Sequence, residues 1–192
     1  MGEVITFIQK SATGKMVLYF LVSAMIVYSL MLIYTIPQVE QHAQGMKLFD
    51  LSPSGYSYEY ALELLGVLGT SGRSIYLYHQ LPMDFIYPGL FAVSCCLLLS
   101  WLFSKSLKSR SKIFYLCLIP VAAGFFDYLE NLCIFQMITS YPNVTESQVV
   151  LSSILTILKS GFTTVFFILL VVGFILLFQQ KRKGKAQNEG EL

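Results

Sequence analysis

Residues 16–36 read MVLYFLVSAMIVYSLMLIYTI, twenty-one positions without a charged side chain. At about 1.5 Å per residue a helix of this length reaches roughly 30 Å, the thickness of a bilayer's hydrocarbon core. Lipid offers the backbone no hydrogen-bond partners, so a stretch this apolar is expected to cross it as an α-helix. Lys15 stands before it, and Pro37, Gln38 and Glu40 are expected to end it, because a proline cannot continue the helical ladder.

Three further stretches answer to the same reading: residues 83–103 (MDFIYPGLFAVSCCLLLSWLF), 113–139 and 149–178. The third carries Pro120, where a kink is expected. With 55% of its 192 residues hydrophobic and only 12% charged, the chain has the composition of an integral membrane protein. Its net charge of +2 is too small to point to nucleic acid as a partner. The expected fold is therefore an all-α membrane protein, a bundle of four transmembrane helices forming one domain over residues 1–180. Residues 181–192, polar throughout, read as a disordered cytoplasmic tail.

Basic residues near span ends are retained on the cytoplasmic side. Lys10 and Lys15 precede span one, Lys105, Lys108, Arg110 and Lys112 lie between spans two and three, and Lys181, Arg182, Lys183 and Lys185 follow span four. The segment 37–82 holds only Lys47 and Arg73, and residues 140–148 hold no basic residue. Both termini are thus expected in the cytoplasm, in the cell membrane, with segment 37–82 outside. That segment reads as a helical cap: Tyr58, Ala61, Leu65 and Leu68 share one helical face, Gly69 and Gly72 are expected to break the helix, and Ser74–Leu81 forms a second short one. Its tyrosines suit the headgroup level.

Charged groups inside a span cost at least ~2.5 kcal/mol each near the bilayer centre, so those present need a reason. Asp127, Glu130 and Asn131 stand at i, i+3 and i+4, on one face of span three. Asp127 falls roughly 15 Å below the outer end of its span, and Lys159 on span four reaches a similar depth. Asp84 enters at the outer end of span two, with Arg73 and His79 just before it. The expected site is a polar cluster of Arg73, Asp84, Asp127, Glu130, Asn131 and Lys159 in the outer half of the bundle.

Three readings of that cluster stay open. It is a structural network, with Lys159 paired to Asp127 or Glu130 and Arg73 paired to Asp84. Alternatively it is a pocket for a lipid or small polar ligand, in an enzyme version acting on a lipid or lipid-linked substrate at the outer face with Asp127 or Glu130 as acid-base. Or it relays ions or protons, for which the inner halves of the spans supply only Ser100 and Ser104 and a path would need a homo-oligomer.

Cys95, Cys96, Cys117 and Cys133 form no CxxC pair and His42 and His79 are the only histidines, so no metal site and no cofactor is expected. Gly124 with Ala122 and Ala123, and Gly161 with Ser160 and Thr163, are small enough to let spans three and four approach. Met1-Gly2 with Thr6, and Asn143-Val144-Thr145, formally fit myristoylation and glycosylation patterns.

Taken together, Gly55-Tyr56-Ser57, Leu68-Gly69, Gly72-Arg73, Tyr76, Leu81-Pro82, Asp84, Pro88 and Asp127-Tyr128-Leu129-Glu130-Asn131 resemble the pattern of a family of small four-span membrane proteins found mainly in bacteria. The resemblance runs from span one to span four. It implies the four-span fold and a shared site on the outer face, and no mechanism.

Overall fold

A computed structural model describes residues 2–107 and 112–190; Met1, Lys108, Arg110 and Leu192, and the side chains of Lys181, Lys183 and Lys185, lie outside the described residues. Five helices account for most of what is described. They are α1 (Glu3–Ser11), α2 (Gly14–Glu40), α3 (Tyr58–Ser106), α4 (Lys112–Ser140) and α5 (Glu146–Gly190). Helices α2 to α5 each contain a stretch long and apolar enough to cross a membrane, and each of the four spans read from the sequence lies within one of them. The backbone stays helical to Gly190, so the polar stretch from residue 181 prolongs α5 where a separate disordered tail was expected.

The helices alternate in direction. The lower limb of α3, Leu81–Ser106, is the hub and packs on α2, α4 and α5, while α4 and α5 form the most extensive pair. Among the described residues α2 and α5 are not one of the closely packed helix pairs. The small residues invoked for the α4–α5 contact do different work. A side chain on Gly124 would run into Pro88 O at 2.8 Å and Ala92 Cβ at 3.0 Å, both on α3, and Gly161 faces open space.

Segment 41–75 covers the end of the bundle where α2 and α4 finish and α5 begins. Leu48, Phe49, Ala61, Leu64, Leu65 and Leu68 are buried there with Val39 of α2, Ile134, Met137 and Ile138 of α4, and Val149 of α5. Helix α3 starts in this segment and, after one break at Gly69, continues into span two. Gly69 (φ 60°, ψ −172°) puts a sharp bend in it, a conformation open to glycine at little cost. Gly72 does not break the helix. It is where the helix presses on the end of α2, since a Cβ at Gly72 would stand 2.7 Å from that of His42.

Proline does not end span one either. Helix α2 passes through Pro37 to Glu40 by way of a π-helical turn at Met31–Thr35, and α3 passes through Pro82 after a π turn at Tyr76–Gln80. In both cases the wide turn finishes two residues before the proline and absorbs the missing N–H and the ring's clash with the preceding turn. Pro120 sits in the first α-helical turn of α4, after a 3₁₀ segment at Lys112–Leu118, so a change of helix type replaces the expected kink.

Candidate functional site

Helix α4 turns one face inward. Glu130 and Asn131 are fully buried and Asp127 is 8% exposed. From α5, Lys159 Nζ reaches Glu130 Oε2 at 2.5 Å and Asp127 Oδ1 at 3.2 Å. Thr156, one turn before Lys159, donates its hydroxyl to Glu130 Oε1 at 2.6 Å. One ammonium and one hydroxyl on α5 therefore clasp two carboxylates on α4.

Asn131 faces the other way, to α3. Its Nδ2 donates to the backbone carbonyl of Asp84 at 2.7 Å. Pro88 stands four residues after Asp84 and has no N–H, so that carbonyl lacks its helical donor. In a lipid-facing bundle an orphaned carbonyl is expensive. Asn131 supplies what Pro88 removes, just where Gly124 lets α4 come against Pro88.

The Asp84 side chain itself is 4% exposed, and its Oδ2 has no hydrogen-bond partner among the described residues. The expected Arg73–Asp84 pair is not formed. Eleven residues of helix separate the two, about 16 Å at 1.5 Å per residue. Arg73 instead donates from Nη1 to Leu65 O at 2.6 Å, bridging the bend at Gly69, and its guanidinium lies over the Tyr141 ring, 4.4 Å from the centroid. His79 also stays outside the cluster, exposed and bonded to Gln38 Oε1 at 2.9 Å.

A carboxylate that sequence reasoning left out takes Arg73's place. Asp50, in the cap, accepts from the Tyr76 hydroxyl and from Gln80 Nε2 at 3.3 Å, and Thr35 donates to Gln80 Oε1. Thr35 and Gln80 close the two π turns, which lie side by side; the widened turns bring both side chains into this chain of bonds. Next to it the cap is tied to α5. Tyr56 OH donates to Ser152 Oγ at 2.7 Å and Tyr56 N to Ser153 Oγ at 2.9 Å. Burial pushes the Tyr56 phenol well above its usual range, which keeps it a donor.

Asp50, Asp84, Asp127 and Lys159 all line one open groove of about 360 Å³. It lies where α2 and α5 are left apart. Tyr28, Met31 and Ile36 form the α2 wall; Ser160, Thr163, Thr164 and Phe167 form the α5 wall; Tyr87, Phe91 and Ala123 form the floor. Polar groups sit at the cap end and aromatic ones farther from it, with Tyr28 stacked on Tyr87 at 5.2 Å between centroids. Among the described residues no cluster of three His, Cys, Asp or Glu side chains is suited to hold a metal.

No family model, curated protein or solved structure matches this chain.

Proposed function

We propose that this multi-pass protein binds the polar head of a membrane amphiphile in the groove between α2 and α5, with the amphiphile's chain leaving sideways into the lipid. The observation that carries the reading is the shape of the groove. It joins a charged end to an aromatic end along a seam where two helices make no extensive contact, and its volume falls in the range of about 300–1,000 Å³ used by small-molecule sites. The loop charges orient the molecule with both termini in the cytoplasm, which gives the charged end to the outer leaflet.

A second reading rests on Asp84 and Asp127. Both line the groove, one without a partner and one paired with Lys159, and carboxyl groups in such different surroundings are suited to acid-base work on a bound lipid or lipid-linked substrate. Proton or ion passage through one chain has less support. The opposite end of the bundle is filled by Ile5, Cys95, Leu99, Phe103, Phe114, Cys117 and Phe166.

Extraction in a mild detergent followed by lipid analysis tests the first reading. The protein is expected to retain an amphiphile that Thr163→Trp, which fills the groove, releases. Equal lipid content in the two proteins would overturn it. Cysteine substituted for Ser54 and probed with an impermeant thiol reagent on intact cells tests the orientation; labelling is expected, and protection would reverse it.

A further inference from the structure

Resting on the groove reading just given, we infer that the head group taken by this site is a primary ammonium on a single long chain, and not a phosphate. Three carboxylates, Asp50, Asp84 and Asp127, line the groove against one ammonium, that of Lys159. The lysine is already committed, at 2.5 Å to Glu130 and 3.2 Å to Asp127. No arginine lines the groove. A phosphate entering would meet carboxyl groups in place of cations and find the one ammonium engaged, which is the reverse of a phosphate site.

The hydrogen-bond inventory points the same way. Asp50 has a donor on each carboxylate oxygen, from Tyr76 and from Gln80. Asp84 Oδ2 is buried with none. The cluster is short of donors, so the ligand has to bring them. A primary ammonium brings three N–H donors and one positive charge in a compact group. A quaternary ammonium brings the charge and no donor, so Asp84 Oδ2 would stay without a hydrogen-bond partner. A neutral alcohol brings a single donor and no charge to pair with a carboxylate. The walls limit the rest of the molecule. At about 30 Å³ per water-sized volume the groove has room for roughly a dozen, enough for a head and the first few methylenes. The remaining chain must pass between α2 and α5.

The experiment is a thermal-unfolding titration of the full chain in lipid nanodiscs with four probes of one chain length: dodecylammonium, dodecyltrimethylammonium, dodecanol and dodecyl phosphate. Each is read as the difference between the natural protein and Thr163→Trp, with Ser160→Phe as a second obstruction in case the first does not fold, so that general effects on the bilayer cancel. Dodecylammonium is expected to stabilise the natural protein selectively, and Asp84→Asn to raise its half-saturating concentration at least about tenfold, the effect of losing one charge-assisted hydrogen bond. Selective stabilisation by dodecyl phosphate, equal response to the trimethyl probe or to dodecanol, or an unchanged titration in Asp84→Asn would overturn the ammonium assignment and leave the groove reading standing. Absence of any selective response to all four probes would overturn the groove reading itself.

Discussion

Both ends of this bundle are packed by apolar side chains, and the cap end adds a layer of charged contacts that the other end lacks among the described residues. At the cap end, α3, α4 and α5 are joined by Lys159 with Glu130 and Asp127, by Thr156 with Glu130, and by Asn131 with the carbonyl of Asp84. At the opposite end α1, α3, α4 and α5 meet through Ile5, Cys95, Cys96, Leu99, Phe103, Phe114, Cys117 and Phe166. The apolar end works as an internal control. Helices in lipid associate through close packing, with polar contacts as an optional addition, and among the described residues this chain packs one end without an ion pair. Charges at the other end are therefore not required to bring helices together. They carry an insertion cost that the fold at the far end avoids, and the proposed ligand role would account for it.

The comparison is most easily broken at Lys159. Lys159→Met leaves Glu130 and Asp127 facing each other with no counter-charge, and breaking a buried pair in this way costs about 3–5 kcal/mol. The expected result is a large loss of folded protein in bilayers. Lys159→Met combined with Glu130→Leu is expected to restore part of the stability, because only Asp127 then lacks its counter-charge and Thr156 keeps Ser152 O as an acceptor at 3.0 Å. A double variant as unstable as the single one would mean that the ion pair holds the helices after all, and that the two ends do not differ in the way described.

Leu99→Ala probes the apolar end. Leu99 is fully buried. In water such a truncation costs 2–5 kcal/mol, part of it the transfer of apolar surface. In a bilayer the unfolded helices keep that surface in lipid, so the cavity portion remains and a loss of about 2 kcal/mol is expected in reversible unfolding from nanodiscs. Ligand retention is expected to stay intact, which separates this variant from changes at the groove.

Asn131→Leu should cost about 1–2 kcal/mol, by leaving the Asp84 carbonyl without a donor. Pro88→Ala restores an N–H four residues later in the helix, so most of the Asn131→Leu penalty is expected to vanish in that background. Equal penalties with and without Pro88 would show that Asn131 serves another purpose. The cycle reads a coupling, and so does not depend on either single variant being mild.

How much of this was legible follows from the range over which each signal acts. The apolar stretches were, because lipid imposes some twenty apolar residues wherever a helix crosses it. The one-sided face of Asp127, Glu130 and Asn131 was also, because helical spacing is local. The Arg73–Asp84 pair failed because, of the two breaks expected at Gly69 and Gly72, only the one at Gly69 occurs, and the helix that runs on from it holds the two side chains eleven residues apart. Asp50 was missed because only the folded cap brings it to Gln80, thirty residues away. One signal was present and unused: a proline four residues after Asp84 announces a carbonyl in need of a donor, and Asn131 is a buried amide on the neighbouring span.

The smallest expected effect lies where the cap meets α5. Tyr56→Phe keeps the ring and its contact with Phe49, 4.9 Å between centroids, and removes only the hydroxyl that donates to Ser152. The cost should be about 0.5–1.5 kcal/mol. It should also be local. Gly55 (φ 80°) presses the turn so closely on α5 that a Cβ there would meet Ser153 and Ile157, and the backbone bond from Tyr56 N to Ser153 remains. Hydrogen exchange in segment 49–57 is therefore expected to rise several-fold while exchange around Leu99 is unchanged. Unaltered exchange in the cap would show that the backbone bond and the packed turn hold it alone; equal acceleration at both ends would show that cap and bundle open together, and the two ends would have to be treated as one cooperative unit.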